Sequence, residues 1–120
     1  MANFSIVFSN IDRCCMSSGK YGRCQGRVER HHIMNGADRK KSDKYGLIAP
    51  LCSNHHRVGR EAVHNNARNM NLLKAKAHIM FREHYPELNW LRIFGRNYAW
   101  IIEDKIEEVG ANDLHSTNPN

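Results

Sequence analysis

The first half of the chain concentrates the residue types that bind metals and move protons. Two histidine pairs, His31-His32 and His55-His56, occur there together with four cysteines, at positions 14, 15, 24 and 52. Imidazole and thiolate are the side chains that bind zinc and similar transition metals. Histidine is also the side chain best suited to accept a proton near neutral pH. The combination indicates a metal-dependent hydrolase.

Length and composition indicate one small domain. A core built from 120 residues contributes limited stability on its own, so a structural metal would help it fold. The N-terminal sequence lacks the charged start and long apolar stretch of a signal peptide, and no segment approaches the roughly 18 apolar residues that span a membrane. We therefore expect a cytoplasmic protein with no membrane partner. In that reducing compartment, cysteines interleaved with histidines favour zinc over disulfides.

Short strands and bent loops are expected to position these residues. Phe4, Ile6 and Phe8 alternate with other residues, which predicts a short strand or an extended arm. The glycine-rich segment 12–27 predicts a loop that folds tightly around a ligand. Residues 28–34 predict a strand that carries the first histidine pair at its end.

A second strand and a helix are expected to follow. Residues 35–46 predict a polar, basic loop, and residues 47–51 predict a strand in which Pro50 suits only a sheet edge. A helix is expected to begin near Ser53 or Asn54, since both are favoured N-cap residues.

The second half of the sequence has helical periodicity. Leu73, Ala77, Met80 and Phe81 share one face of a helix over 69–85, which Pro86 ends. A short segment, 87–94, ends at Gly95, and a further helical face is predicted by Ile102, Ile106 and Val109. The aromatic residues expected in the core are Phe81, Tyr85, Trp90, Phe94 and Trp100. We expect a single domain over 1–110, divided near residue 66, and a flexible tail over 111–120.

The positive charge lies beside the candidate chemistry. Of the formal net charge of +6, residues 1–60 carry +7 and residues 61–120 carry −1. A cationic surface around a candidate site is typical of nucleic-acid binders. The residues expected to contact phosphates are Arg39, Lys40, Lys41, Lys44 and Arg57. The alternative is an ordinary solvated loop.

Several segments together resemble the HNH, or ββα-metal, endonuclease family. They are Cys15 with Cys24, the strand Glu29-Arg30-His31-His32-Ile33 and the run Pro50-Leu51-Cys52-Ser53-Asn54-His55-His56-Arg57. Arg39 and Ser42, Ala62-Val63-His64 and the run Phe94-Gly95-Arg96-Asn97-Tyr98 look similar to the phage-borne branch related to the RecA-dependent nucleases. The resemblance covers roughly residues 13–98. It implies an α+β domain with a ββα-metal core, a zinc knuckle and a helical C-terminal half.

The resemblance also implies a role for each histidine of the core. His32 would be the general base that activates water, while His31 and His56 would bind the catalytic divalent ion, Mg²⁺ or Mn²⁺. Cys15, Cys24, Cys52 and His55 would hold a structural Zn²⁺. Cys14 can replace Cys15 in this set, and His64 can replace His55. The alternative is that the cysteines are buried free thiols.

The expected function is that of a divalent-metal-dependent endonuclease that hydrolyses DNA, in a phage-infected or prophage-bearing bacterial cell. A recombinase filament or another host protein is a further candidate partner. The chain departs from the family pattern at Leu47, near which the central Asn of the family should fall. A zinc-containing DNA-binding module without catalysis is therefore one alternative. A protein-interaction or inhibitor domain, acting through the slightly acidic helical half, is another.

Overall fold

The computed structural model describes residues 4–103, which form a small α+β unit. Its regular elements are β1 (Val28–His32), α1 (Arg39–Tyr45), β2 (Ile48–Cys52), α2 (Ala67–His84) and α3 (Trp90–Phe94). Ile106 and Val109 of the further predicted helix, and the whole of the predicted tail, lie outside the described residues. No helix in the described part is long and apolar enough to cross a bilayer.

The two predicted strands form one two-stranded antiparallel sheet. Its register places Val28 opposite Cys52 and His32 opposite Ile48. Pro50 lies opposite Arg30, and its missing N–H is tolerated because each strand of a two-stranded sheet has an outer edge with no neighbouring strand. Every residue of β2 is buried, whereas β1 becomes buried only at His31 and His32. The sheet therefore carries the first histidine pair into the interior.

The connection between the strands is helical, so the predicted loop over 35–46 is wrong. A 3₁₀ turn, Gly36–Asp38, leads directly into α1. The segment 35–46 consists largely of residues that tolerate or favour helix. The glycines that suggested a loop lie at the two ends of the helical connection. Gly46 ends α1 in the left-handed region, at φ 74°, where glycine is the favoured residue.

The described N-terminal residues form an irregular, bent arm and no strand, because the Ser5 hydroxyl accepts hydrogen bonds from Val7 N–H at 3.0 Å and Phe8 N–H at 3.1 Å. The backbone of this arm is held at the sheet because Ile6 N–H donates to the carbonyl of Gly46 at 2.9 Å. The hydroxyl of Ser5 donates to the carbonyl of Ile48 at 2.7 Å. The alternating apolar residues that suggested a strand instead place Val7 in the core, with Ile6 and Phe8 packed against it.

Helix α2 supplies the other side of the core. It covers the predicted helix but begins at Ala67, because the side chain of Asn66 accepts a hydrogen bond from Asn69 N–H at 3.0 Å. The buried residues Leu73, Ala77 and Phe81 lie on its inner face. Trp90 is buried as predicted, but Trp100 is 50% exposed, so its expected place in the core is wrong.

Candidate metal centres

One short helical turn carries ligands for two separate clusters. The turn, Asn54–Val58, follows β2 directly and is π-helical. Its consecutive histidines contribute to different clusters: His55 lies with three cysteines, and His56 lies with two other histidines. Backbone hydrogen bonds from Val63 N–H to His55 and from His64 N–H to His56 hold the following segment against this turn.

The first cluster consists of Cys14, Cys24, Cys52 and His55, and it has the composition and size of a metal site. Its candidate ligand atoms all lie within 4.8 Å of one another. The Nδ1 atom of His55 lies 3.4 Å from the Sγ atom of Cys14, 3.6 Å from that of Cys24 and 3.3 Å from that of Cys52. Sulfur and nitrogen ligands on a tetrahedral zinc with ordinary bond lengths are about 3.5 Å apart. The cluster can therefore hold a metal ion.

The hydrogen bonds around this cluster prepare its atoms for a metal. His55 Nε2 lies 3.0 Å from the carbonyl oxygen of Tyr21, which can only accept. The ring proton therefore lies on Nε2, and Nδ1 presents its lone pair to the three sulfurs. Burial acts to raise the pKa of Cys52, but hydrogen bonds from the backbone N–H groups of His55 and Gln25 and from Cys24 and Cys14 together bring that pKa to about 7. Burial and the hydrogen bond with Cys14 raise the pKa of Cys24 to about 12. The ring nitrogen of His55 and the thiol of Cys52 are therefore the groups whose ligand forms these contacts favour.

Cys14, and not Cys15, is the residue that the structure places in this cluster. Cys14 is buried, and its Sγ accepts a hydrogen bond from Met16 N–H at 3.4 Å. The Cys15 backbone N–H donates to the carbonyl of Pro50, and its side chain packs against the hydrophobic core. Burial raises the pKa of the Cys15 thiol to about 12. Cys15 is thus a core residue.

The second cluster consists of three histidines: His31, His56 and His64. The Nε2 atoms of His56 and His64 are 3.2 Å apart, close to the value of about 3.3 Å for two nitrogens on one tetrahedral ion. The ring of His31 lies 5.1 Å from that of His56 and 5.3 Å from that of His64, measured between centroids. His64 therefore belongs with the histidines and not with the cysteines.

A carboxylate orients His56 by accepting a hydrogen bond from the ring nitrogen that is not directed at His64. Glu29 Oε1 accepts a hydrogen bond from His56 Nδ1 at 2.6 Å, and the same carboxylate pairs with Arg57. The hydrogen bonds from Arg57 and then from His56 lower the pKa of Glu29 to about 2. With its proton on Nδ1, His56 directs the lone pair of Nε2 towards the cluster. A carboxylate behind a histidine is the usual support of a metal ligand.

The environment keeps His31 neutral. Burial, followed by the nearby His56 and His64, lowers the pKa of His31 to about 3. Burial is also the main cause that lowers the pKa of His64. Neutral imidazole is the form that binds a metal. Within the described part of the chain, His31 Nε2 is buried and has no hydrogen-bond partner, which a bound ion would supply.

The histidine cluster opens into a cavity of about 210 Å³ that also contains His32. The cavity is lined by the three histidines together with Arg30, His32 and Arg39 and by residues of the turn that follows β1. His32 Nε2 lies 2.8 Å from the carboxylate of Asp43 on α1. That carboxylate holds the ring proton on Nε2, so Nδ1 is the nitrogen able to accept a proton.

Ser42 braces the backbone that follows His32. Its hydroxyl accepts from Met34 N–H at 2.9 Å and donates to the Met34 carbonyl at 2.7 Å. Leu47, the residue before β2, is fully buried, and its backbone carbonyl accepts a hydrogen bond from Ile33 N–H. Ser42 and Leu47 thus hold the turn that follows β1.

The predicted phosphate-binding residues have different surroundings. Arg39 lines the histidine cavity, and Lys40 is exposed on α1. Lys41 donates to the carbonyl of Ile93 and pairs with Asp38, while Arg57 pairs with Glu29. Lys44 lies over the ring of Tyr45. Of these five residues, Arg39 is the one that lines the histidine cavity, while Arg57 is linked to His56 through Glu29.

Three residues at this site escaped sequence reasoning. Glu29 and Asp43 are ordinary charged residues in the sequence, and only the fold brings each against a histidine. In the sequence, Arg30 is only one residue of a strand motif. Its Nη1 atom is buried without a hydrogen-bond partner among the described residues, and Arg30 also lines the cavity. The alternation of side chains along a strand shows which face each one occupies. It does not show which tertiary neighbour will place a carboxylate against a histidine.

Comparison of the chain with protein-family models, with curated proteins and with solved structures gives no match. What the structure presents is a small α+β unit with a Cys₃His cluster that can hold a metal ion and a second cluster of three histidines beside a cationic cavity.

Proposed function

We propose that this protein is a metal-dependent endonuclease of the HNH, or ββα-metal, type, which hydrolyses phosphodiester bonds of DNA. One observation carries the proposal. The two buried side-chain nitrogens that lack a hydrogen-bond partner in the described chain belong to His31 and Arg30, and both residues line the same cavity. An unpaired imidazole nitrogen calls for a cation, and an unpaired guanidinium nitrogen calls for an anion. A metal ion and a phosphate group satisfy both.

The residues around the cavity have separate roles in the proposed hydrolysis. His31, His56 and His64 would hold the ion, leaving an open coordination position. When bound, the ion would polarise the phosphodiester and stabilise charge on the departing oxygen. His32 accepts a proton from the attacking water at Nδ1, because Asp43 keeps the other ring nitrogen protonated. Arg30 and Arg39 bind and orient the phosphate.

Three imidazoles favour a transition-metal ion over Mg²⁺. Nitrogen donors suit zinc, nickel and iron, whereas Mg²⁺ is bound mostly through oxygen ligands. The sequence predicted two histidine ligands and Mg²⁺ or Mn²⁺ as the catalytic ion. With His64 as a third nitrogen donor, we propose that a transition-metal ion binds this cluster more tightly than Mg²⁺ does.

The cysteine cluster has a structural role in this proposal. Three thiolates and one imidazole complete a tetrahedral set, leaving no position for substrate, which is typical of structural zinc. Zn²⁺ in this cluster would join the glycine-rich segment, the end of β2 and the turn that carries both His55 and His56. It would thus fix the direction in which His56 enters the second cluster.

A DNA-binding module without catalysis is the second candidate, and the departure at Leu47 favours it. The buried leucine leaves no side-chain amide at the position where the family has Asn. Cleavage separates the two candidates. Purified protein carrying one zinc per chain is mixed with supercoiled plasmid and a series of divalent ions. Nicking that starts when a transition-metal ion is added supports the nuclease; tight DNA binding without nicking in any ion supports the module.

Substitution of Asp43 by alanine is expected to lower the maximal cleavage rate about 10-fold or more with little change in KM, because the carboxylate positions the base and does not contact DNA. The measurement compares the wild type, Asp43→Ala, His32→Ala and the double variant. We expect Asp43→Ala to have no further effect once His32 is absent. Additive losses in the double variant would show that Asp43 acts elsewhere.

A further inference from the structure

A second cationic cleft lies between α2 and the segment that follows α3. It has a volume of about 230 Å³, and its lining includes Arg68 and Asn71 from α2 together with Arg96, Tyr98 and Trp100. Arg68, Asn71 and Lys74 are spaced by three residues, so each side chain is a neighbour of the next along α2. No acidic residue lines the cleft in the described part of the chain.

Buried hydrogen bonds hold the 96–101 segment in place. His78 Nδ1 accepts from the N–H groups of Tyr98 at 3.2 Å and of Ala99 at 3.1 Å. Burial lowers the pKa of His78 to about 4, which keeps this acceptor available. His78 also stacks on Trp90, whose indole N–H donates to the carbonyl of Arg96 at 2.7 Å. The exposed ring of Trp100 is therefore presented by a fixed backbone.

The charges at this cleft are not neutralised by the described protein. The cationic groups of Lys74 and Arg96 both lie 5.4 Å from the ring centre of Tyr98. No described carboxylate forms an ion pair with Arg68, Lys74 or Arg96. Burial and the neighbouring Arg96 lower the pKa of Lys74. Cations held close together around an aromatic ring are the arrangement that an anionic polymer satisfies.

We propose that this cleft binds a single strand of nucleic acid, with a base stacked on Trp100 and phosphates held by Arg68 and Arg96. The indole is 50% exposed beside these cations, and an unpaired base is what such a ring can stack on. In a duplex the bases are already stacked on one another, so their faces are not accessible. The inference rests on the proposed function only for the cleavage of the strand after it has bound. The new claim is that this cleft binds single strands.

The experiment measures binding without added divalent ion, so that cleavage does not interfere. Fluorescence anisotropy of a labelled thymidine oligonucleotide of about 12 residues is compared with that of a duplex of the same length. Trp100→Ala is expected to weaken single-strand binding about 5- to 100-fold, and Trp100→Phe to retain most of it. Arg96→Ala is expected to reduce the salt dependence of binding. Leu91→Ala is the matched control, because Leu91 is 52% exposed and does not line the cleft.

Equal single-strand affinities of Trp100→Ala and Leu91→Ala would overturn the inference, as would equal affinity of the wild type for duplex and single strand. Thermal unfolding of each variant checks that its fold is intact, and Trp100→Phe provides the comparison if Trp100→Ala unfolds. The outcome is distinct from that of the proposed function. Tight single-strand binding without cleavage in any metal would overturn the nuclease alone, whereas cleavage with unaltered binding by Trp100→Ala would overturn the cleft alone.

Discussion

Substitution of His31 by alanine is expected to abolish binding of the catalytic ion and, with it, cleavage of DNA. His31 Nε2 is one of three nitrogens that face one another, and it is buried without another partner among the described residues. Its removal leaves two ligands on an ion that needs at least three to be held firmly. We expect the bound metal to fall from two ions per chain to one, and plasmid nicking to fall to the level measured in chelator.

The exposed His84 provides the matched control for this prediction. It lies on α2 outside both clusters, so His84→Ala should bind two ions and cut at the wild-type rate. Metal content is measured by mass spectrometry after removal of loosely bound ions. If His31→Ala retains both ions, or cuts as fast as His84→Ala does, the histidine cluster is not the catalytic metal site.

Replacement of Cys14 by alanine is expected to remove zinc and unfold the protein, whereas replacement of Cys15 should leave zinc in place. Structural zinc contributes about 10–16 kcal/mol in small zinc-binding peptides, which is comparable to the whole stability of a domain, about 5–15 kcal/mol. Only Cys14 is grouped with Cys24, Cys52 and His55. The adjacent pair therefore provides its own control, one position apart in the chain.

The measurement is the zinc content per chain together with the thermal unfolding midpoint. Cys15→Ala removes a small buried side chain and should lower the midpoint by only a few degrees, with about one zinc per chain retained in this cluster. Loss of zinc from Cys15→Ala, or its retention by Cys14→Ala, would contradict the assignment. Chelation of zinc from the wild type should reproduce the behaviour of Cys14→Ala.

The periodic parts of the fold could be predicted from the sequence. The apolar spacing of Leu73, Ala77 and Phe81 predicted α2 to within two residues at each end. The strands on either side of α1 were predicted from their apolar residues and from the histidine pair. The sequence predicts a loop in place of α1 because Gly36 and Gly46 bound the segment, although the residues between them have adequate helix propensity.

The sequence predicts the residue types of the candidate metal clusters, but it does not predict which individual residues belong to each cluster. The sequence indicates that cysteines and histidines gather, yet adjacent residues such as Cys14 and Cys15 can be distinguished only by the direction of the backbone. The sequence offers His64 only as a replacement for His55 in the zinc set, because the pairing of its backbone with His56 is a tertiary feature. Trp100 was expected in the core, since helical spacing does not show that its segment lines an exposed cleft.

Relaxation of supercoiled plasmid by the wild type and by His32→Ala tests the central claim most directly. Both proteins are incubated in EDTA and then with added Mn²⁺, Ni²⁺ or Mg²⁺. The account predicts nicking by the wild type only after metal is added, faster with the transition-metal ions. It predicts a rate about 10²- to 10⁴-fold lower for His32→Ala, which loses the base but keeps the ligands. Equal nicking by the two proteins, or nicking by the wild type in EDTA, would contradict a metal-dependent nuclease that uses His32.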